Sequence, residues 1–426
     1  MTTSRRRFLG VTGAAALAGA TASAGAPRAA GQAAAEPLPD GVAAARAAFA
    51  FTEARVPMNA ANLCPAPRAV AAAVAVADAD IDADCSFQNR ARFSAELERT
   101  RAALARQLGV SADTVALVRN TSEGNNVVNA GLDLAAGDEV VIWNENHPTN
   151  HVAWTVRAAR HGLVVRTVTL PDGAAADAGR VVEAFTAAFT PRTRVLAFSQ
   201  VSNLSGIALP AAALTEAAQR RGIHVHVDGA QTWGVLDLDL HALGFDSFAA
   251  SAHKWYMGPR EVGLLYVRES AIPRIWPGVV APGWGDDADP DPVGARKFES
   301  LGQRDDAALA GMAVAAAFHD ALNAADRGAV EAYVRGLMGR LLAGVGEAGL
   351  TPVTPRDESA LAGVCVVEVA SDRRAEVFER LYREHGIAGA TTGGLRLCPH
   401  VYNTPEHVDR AVAALRALRP LILGRA

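Results

Sequence analysis

The chain has 426 residues, of which half are hydrophobic and 20% are charged, and its formal net charge is −4. This length and composition can bury a large core and predict two or three domains, which excludes a disordered protein or a coiled coil. Beyond residue 35 the sequence has no basic run, so nucleic acid is not expected as a partner. The four cysteines form no CxxC pair, and we therefore expect no metal site.

The first residues carry the pattern of an export signal. Ser4-Arg5-Arg6-Arg7-Phe8-Leu9 precedes an apolar stretch rich in Ala and Gly, which is typical of a twin-arginine signal. That stretch is too short and too rich in glycine for a membrane helix. We expect residues 1–35 to be read by the twin-arginine export machinery, which would give an exported, periplasmic or extracellular protein without a membrane anchor. Residues 36–60 would form an N-terminal segment.

From about residue 115, short apolar runs alternate with helix-like stretches. The predicted strands are Val115–Arg119, Glu139–Trp143, Leu163–Leu170, Arg194–Ser199, Ile223–Val227, Ser247–Ser251 and Val262–Val267. Helices are predicted between several of them, at Asn125–Leu134, Val152–Arg160 and Ala211–Arg221. This alternation predicts an α/β large domain, residues 61–308, with a mostly parallel seven-stranded sheet. A ligand would bind at the carboxyl ends of its strands.

The last third of the chain has a different pattern. Residues Ile272–Asp291 are rich in Pro, Gly and Trp and predict an irregular loop. Beyond Leu309 a helical region precedes two further strand and helix pairs, Val364–Val369, Arg374–Glu384, Leu395–Cys398 and Glu406–Leu418. They predict a smaller α+β C-terminal domain, residues 309–426.

Two charged residues follow neighbouring predicted strands. Asp228 stands where Ile223–Val227 should end, and Lys254 follows Ser247–Ser251. Taken singly, Asp228 before Gly could be a turn residue and Lys254 a solvated surface group. Together they form the arrangement that pyridoxal 5'-phosphate (PLP) needs, because an amine forms a Schiff base with its aldehyde and a carboxylate keeps its pyridine nitrogen protonated.

The chain contains only one other lysine, Lys297, so few side-chain amines are available for this chemistry. Lys297 lies among charged residues and is expected to be an ordinary surface residue. Lys254 has aromatic neighbours, and desolvation there would lower its pKa and favour the nucleophilic free amine.

The phosphate of such a cofactor needs an anion site. Thr121 and Ser122 follow the first strand and begin a helix, where hydroxyls and free backbone amides can face an anion. The same residues could simply cap the helix. Combined with Asp228 and Lys254, they favour phosphate binding.

Four motifs resemble those of class V aminotransferase-fold PLP enzymes, in the same order and spacing. They are Thr121-Ser122-Glu123-Gly124, Val201-Ser202-Asn203, Val227-Asp228-Gly229-Ala230-Gln231 and Ser251-Ala252-His253-Lys254. The resemblance covers roughly Val56 to Leu418, and Leu301-Gly302-Gln303-Arg304-Asp305-Asp306 is most similar to isopenicillin N epimerase-like members. It implies a PLP fold-type I homodimer with its active site at the dimer interface.

The resemblance also implies a role for each matching residue. Lys254 would hold PLP, Asp228 would pair with its pyridine nitrogen, and His147 would stack on its ring. Asn203 and Gln231 would lie near the phenolic oxygen. The phosphate would be bound by Thr121, Ser122, Ser251 and His253, with Gln303 reaching the partner subunit's phosphate. Arg396 would clamp the substrate carboxylate as a bidentate partner; an interdomain salt bridge is the alternative.

The sequence leaves the reaction open. Once an amino-acid substrate has displaced Lys254, its amine can act as a base at Cα; epimerisation, transamination or elimination can follow. Desulfurases of this family need a cysteine in the loop before the clamp arginine, and residues 385–394 contain none, so desulfuration is disfavoured. C–S lyase activity on cysteine conjugates and a PLP-binding protein without catalysis remain as alternatives.

Overall fold

The computed structural model describes residues 38–280 and 294–424. The predicted export signal, and the second half of the predicted loop Ile272–Asp291, lie outside the described residues. The strands are β1 (Val56–Pro57), β2 (Val115–Val118), β3 (Glu139–Trp143), β4 (Val164–Val168), β5 (Thr193–Ser199), β6 (His224–Asp228), β7 (Ser247–Ser251), β8 (Gly263–Val267), β9 (Cys365–Val367), β10 (Ile387–Ala388) and β11 (Leu395–Leu397).

The α-helices alternate with these strands along most of the chain. They are α1 (Arg68–Ala83), α2 (Phe87–Gln107), α3 (Thr121–Gly131), α4 (Pro148–His161), α5 (Ala178–Ala187), α6 (Ala211–Gln219), α7 (Leu240–Leu243), α8 (Asp306–Leu322), α9 (Ala329–Glu347), α10 (Arg374–His385), α11 (Pro405–Ala417) and α12 (Arg419–Ile422). Within the described ranges, no helix is both long and apolar enough to span a membrane.

A seven-stranded sheet forms the centre of the fold, with strand order β2-β8-β7-β6-β5-β3-β4. β8 pairs antiparallel with both of its neighbours, and the other pairs are parallel. The predicted α/β fold and its mostly parallel sheet are confirmed. Each of the seven predicted strands is present, with boundaries that differ by at most two residues.

Burial on both faces explains why most of these strands read as continuous apolar runs. On β2, Val115 and Leu117 face one core, whereas Ala116 and Val118 face another on the opposite side of the sheet. This division follows from the alternation of side chains along a strand. β4, at the edge of the sheet, is largely exposed or half-buried.

Two helices begin earlier than the apolar pattern predicts because local caps start them. Asn120 precedes α3, and its side-chain oxygen accepts a hydrogen bond from the amide of Glu123 at 3.0 Å. α4 starts at Pro148, behind the N-cap residue His147. Such caps satisfy free amides of the first turn. They place Thr121 and His147 at helix starts beside the sheet.

The C-terminal elements form two small sheets. β1 pairs parallel with β10, and β9 pairs antiparallel with β11, so the N-terminal segment joins the C-terminal elements. The expected boundary between residues 308 and 309 falls inside α8, and the division into two domains stays a prediction. A core formed mainly by these elements also contains Trp255 and Met257, which follow Lys254.

A buried ion-pair network centred on Glu299 attaches the segment that begins at residue 294 to the large sheet. Glu299 forms salt bridges with Arg101 and Arg304 and accepts a hydrogen bond from the amide of Leu117, on β2, at 2.6 Å. Arg101 is 1% exposed, so its charge depends on close partners. Removing one member of a buried network leaves an uncompensated charge.

We expect Glu299→Ala to lower the free energy of unfolding by about 3 kcal/mol, because, of the carboxylates in the described residues, it leaves the buried Arg101 with Glu98 alone. Urea denaturation followed by circular dichroism measures the change. Asp409→Ala, which breaks an exposed pair with Arg340, is the control and should remain near wild type. Equal stabilities of the two variants would contradict a stabilising role for the Glu299 ion pairs.

Candidate active site

The carboxyl ends of β6 and β7 bring Asp228 and Lys254 together. Asp228 is the last residue of β6 and pairs in register with Ala249 of β7, and Lys254 follows the end of β7 by three residues. Burial lowers the pKa of Lys254; the charge of Arg396 lowers it further, and Asp228 opposes both effects. The three charges therefore lie within electrostatic reach of one another, and a larger fraction of the amine is free at neutral pH.

The turn that carries Lys254 is held on both sides. The amide of Met257 donates to the Lys254 carbonyl at 2.9 Å, and that of Cys64 donates to the His253 carbonyl at 2.9 Å. The Trp255 ring is fully buried against Gly363, where a Cβ would come within 2.3 Å of it. The amine thus projects from a fixed backbone, and in the described part of the chain its nitrogen makes no hydrogen bond.

The Asp228 carboxylate is buried, and each of its oxygens accepts one hydrogen bond. One oxygen accepts from the amide of Ala230 at 3.0 Å and the other from the Asn125 side chain at 2.9 Å. Asp228 is only 3% exposed, so these donors fix its orientation.

His147 lies at the carboxyl end of β3, in a turn tied to β5. Its amide donates to the Ser199 hydroxyl at 3.1 Å, and its Nδ1 accepts from the amide of Thr149 at 3.3 Å. Its Nδ1 also lies 2.9 Å from the Thr149 hydroxyl, which can donate to it. A neutral ring that accepts from both groups of Thr149 carries its hydrogen on Nε2. Burial lowers the pKa of His147, as do Lys254 and Arg396, while Asp228 raises it. A neutral ring therefore faces the same charged groups as the lysine.

Thr121 and Ser122 begin α3, Ser251 contacts this helix start, and His253 follows Ser251 by two residues. The Ser251 hydroxyl accepts from the Thr121 amide at 2.8 Å and lies 2.6 Å from its hydroxyl. Among the described residues, neither the amide nor the hydroxyl of Ser122 donates a hydrogen bond. Burial lowers the pKa of His253 to about 4. These donors at a helix N-terminus suit a phosphate.

Arg396 lies on β11 and is 4% exposed. Its Nη1 donates to the Asn203 carbonyl at 3.0 Å and its Nη2 to the Asn59 side chain at 3.2 Å. Its Nε is buried and has no partner among the described residues. A buried donor of this kind needs an acceptor, which a substrate carboxylate can supply.

Gln231 and Asn203 lie beside the lysine turn and the arginine. The side-chain oxygen of Gln231 accepts from Trp255 Nε1 at 2.7 Å, and its nitrogen donates to the Ala61 carbonyl at 3.0 Å. One N–H of that amide is left for another acceptor. Asn203 is buried, and it is its backbone, rather than its side chain, that fixes Arg396.

Two residues lie apart from this cluster. Gln303 is exposed; its side chain accepts from Arg90 at 3.3 Å and donates to the Arg304 carbonyl at 3.0 Å. Lys297 is half-buried and donates to the Ile272 carbonyl at 2.6 Å. The expectation that Lys297 is an ordinary surface residue is wrong, because its side chain is half-buried and its amine donates to a backbone carbonyl.

Sequence reasoning did not identify three contributors to the site. They are Asn125, which binds Asp228; Asn59, which binds Arg396; and Glu145, which accepts from both Ser202 and Ser205 at 2.5 Å. For Asn125 a signal existed, because it follows the small residue Gly124 near the start of a helix that packs on the sheet. Asn59 and Glu145 lie in loops, where periodicity carries no signal.

The residues present fit PLP. Within residues 38–280 and 294–424, the Lys254 amine has no hydrogen-bond partner and the start of α3 has unused donors. Both lie at the same edge of the sheet as the buried Asp228 carboxylate. Lys254 could hold the aldehyde, Asp228 the pyridine nitrogen, and Thr121, Ser122 and Ser251 the phosphate. In the described ranges, no group of three or more His, Cys, Asp or Glu side chains could hold a metal ion.

Comparison with known proteins supports this interpretation. The chain is 33% identical over 343 residues to isopenicillin N epimerase of Streptomyces clavuligerus, covering 76% of this chain and 85% of that protein. It is 32% identical over 377 residues to isopenicillin N epimerase of Amycolatopsis lactamdurans, covering 85% and 94%. A cysteine desulfurase of Klebsiella pneumoniae is 39% identical over 171 residues, covering 39% and 41%.

Solved structures show the same fold. The apo cysteine desulfurase of Thermococcus onnurineus NA1 has a TM-score of 0.78 at 21% identity, covering 91% of this chain and 99% of that one. A cystine C–S lyase in complex with its product cysteine persulfide has a TM-score of 0.75 at 24% identity, covering 85% and 97%. The model of the family described as "Aminotransferase class-V" matches residues 83–414. The chain therefore belongs to the class V aminotransferase family of PLP-dependent enzymes.

Proposed function

We propose that this PLP enzyme removes and returns a proton at the α-carbon of an amino acid or derivative, as an epimerase or aminotransferase. The observation that carries the proposal is that Asp228 and Lys254 follow the carboxyl ends of adjacent parallel strands, while the buried Nε of Arg396 lacks a partner among the described residues. PLP, when bound, withdraws electrons from the bonds at the substrate α-carbon and so acidifies its proton.

Lys254 would hold the cofactor through its aldehyde, and its amine, when free, would move the α-proton. Its lowered pKa increases the fraction of neutral amine, which is the form that can accept a proton. Its fixed backbone keeps the nitrogen near the site after displacement. Asp228 keeps a proton on the pyridine nitrogen, because a buried carboxylate is best compensated by a cationic partner.

The remaining residues orient the cofactor. Thr121, Ser122, Ser251 and His253 would hold the phosphate, and the His147 ring would lie against the pyridine. The remaining N–H of Gln231 would be available to the phenolic oxygen, with Asn203 nearby. Together these residues would restrict the motion of the ring.

Arg396 binds the substrate carboxylate. Its guanidinium is held by Asn203 and Asn59, which leaves Nε as a fixed, buried donor. A bidentate pair with a carboxylate would fix the α-carbon relative to Lys254. This use of Arg396 replaces the alternative of an interdomain salt bridge, because among the described residues its partners are neutral oxygens.

The two epimerase relatives support proton return at the α-carbon as the leading reaction. Residues 385–394 contain no cysteine, and Cys398, just after Arg396, is buried, which raises the pKa of its thiol. Neither feature supplies the reactive thiolate expected of a desulfurase. A screen of L- and D-amino acids with product identification separates epimerisation and transamination from C–S lyase activity, which would release pyruvate or sulfide. A complete lack of spectral response would indicate a protein without catalysis.

Borohydride reduction tests the role of Lys254. The wild-type protein should be yellow, lose its visible band on reduction and carry the label on Lys254 in a peptide map. Lys254→Ala should lose activity by about 10³-fold or more, since the base and the covalent anchor are both removed. Lys297→Ala is the matched control and should keep the reducible band. A Lys254→Ala protein that still forms the adduct would refute the assignment.

Substitution of Arg396 tests carboxylate binding. Arg396→Gln should weaken binding of an active amino acid by about 100-fold, because the charged bidentate partner is lost. The corresponding amino amide, which has no carboxylate, should bind both proteins with similar affinity. Titration of the cofactor absorbance with each compound measures both constants. An equal loss for acid and amide would assign Arg396 a purely structural role.

A homodimer would complete the site. Gln303 lies away from its own Lys254 cluster and is exposed, which suits a role at a partner's phosphate. Sedimentation should give a dimer, and a monomer at micromolar concentration would contradict it.

The N-terminal motif supports export through the twin-arginine machinery to the periplasm or beyond. That route carries folded proteins, so PLP could be loaded before transit. Arg5→Lys combined with Arg6→Lys should retain the protein in the cytoplasm on fractionation. An unchanged distribution would show that the signal is not used.

A further inference from the structure

One face of β6 is polar although it is buried. His224, His226 and Asp228 alternate along the strand and therefore point to the same side of the sheet. They are 1%, 0% and 3% exposed. Polar groups in such a position need hydrogen-bond partners within the protein.

The partners come from the neighbouring strand and the covering helix. The Ser247 hydroxyl lies 3.1 Å from His224 Nε2 and 2.9 Å from His226 Nδ1. His226 Nε2 lies 2.9 Å from the side-chain oxygen of Asn125, whose nitrogen donates to Asp228 at 2.9 Å. The five side chains thus form one continuous chain of hydrogen bonds.

In each of these hydrogen bonds, the donor and the acceptor can be assigned. An ionised carboxylate only accepts, so the Asn125 nitrogen must face Asp228 and its oxygen must face His226. His226 Nε2 therefore carries the hydrogen. Burial lowers the pKa of His226 to about 3, so the ring is neutral and its Nδ1 must accept.

The donors and acceptors at Ser247 and His224 follow in the same way. Since His226 Nδ1 accepts, the Ser247 hydroxyl is the donor, and its oxygen can only accept from His224 Nε2. Burial and the charges of Arg274 and Arg268 lower the pKa of His224 to about 3, so this ring is also neutral. His224 Nδ1 has no partner among the described residues, which marks the end of the chain.

Tight packing holds α3 close enough to the sheet for these hydrogen bonds to form. A Cβ at Gly124 would lie 2.8 Å from the Cβ of Ala249 on β7, so only glycine allows this approach of α3. Asn125, the next residue, is 1% exposed and reaches both β6 side chains. The contact between helix and sheet therefore sets the position of the Asn125 amide.

We propose that His224, Ser247, His226 and Asn125 are positioning residues that donate in sequence toward Asp228, fixing its carboxylate against the pyridine nitrogen of PLP. Aligned hydrogen bonds polarise one another, so the last donor is stronger than an isolated amide. These four side chains are uncharged, and no proton is transferred along their hydrogen bonds. This inference rests on the proposed role of Asp228.

Nitrogen NMR of the PLP-loaded protein with ¹⁵N-labelled histidine tests the direction directly. His224 and His226 should both be neutral, with the hydrogen on Nε2, and His224→Gln and His226→Gln assign the two signals. A hydrogen on Nδ1 of His226, or a charged ring at neutral pH, would overturn the proposal. This result does not depend on activity.

Substitutions test the effect on the cofactor. Asn125→Leu should weaken PLP binding about tenfold, because a donor to a charged group is lost. It should also move the ¹⁵N shift of bound, labelled PLP toward that of an unprotonated pyridine. Gln219→Leu, which removes a side-chain hydrogen bond to the Gly244 carbonyl before the amino ends of β6 and β7, is the control and should leave both readouts unchanged.

The residue His226 offers a rescue experiment. His226→Leu should reproduce the change in the PLP ¹⁵N shift, whereas His226→Gln, whose side-chain nitrogen can replace Nε2, should restore most of the wild-type shift. Identical shifts in both variants and wild type would overturn the proposal. If instead wild type forms no reducible adduct at Lys254, the proposed function itself fails, which separates the two outcomes.

Discussion

The shared direction of β5, β6 and β7 is the constraint on which the site depends. In a parallel sheet, residues that are distant in sequence leave their strands at one edge. Asp228 and Lys254 are brought together in this way, without any local motif that contains both. The same edge receives Thr121 from β2 and His147 from β3, so the cofactor site follows from the topology of the sheet.

Burial lowers the pKa of Lys254, and it also makes hydrogen-bond partners necessary for the charged groups of the site. The pKa of Lys254 is lowered mainly because its amine is removed from water, and the nearby Asp228 charge limits that effect. Asp228 is tolerated in the core because backbone and side-chain donors surround it. The arginine is held by two neutral oxygens, so its charge remains available to a substrate.

The sequence predicts the strands well because buried parallel strands are apolar runs with clear ends, and Glu139–Trp143 and Ser247–Ser251 match residue for residue. It also predicts which residues gather at their ends. It does not predict Asn125 or Asn59, since their contacts depend on packing between elements far apart in the chain. The burial of Lys297 was missed for the same reason. Gln303 is a special case, because a partner subunit would decide its role.

A crystal structure of the protein with PLP bound tests the central claim most directly. It should show the pyridine nitrogen within hydrogen-bond distance of the Asp228 carboxylate and density continuous from the cofactor to the Lys254 side chain. A cofactor attached to Lys297, or one whose ring nitrogen faces away from Asp228, would contradict the account.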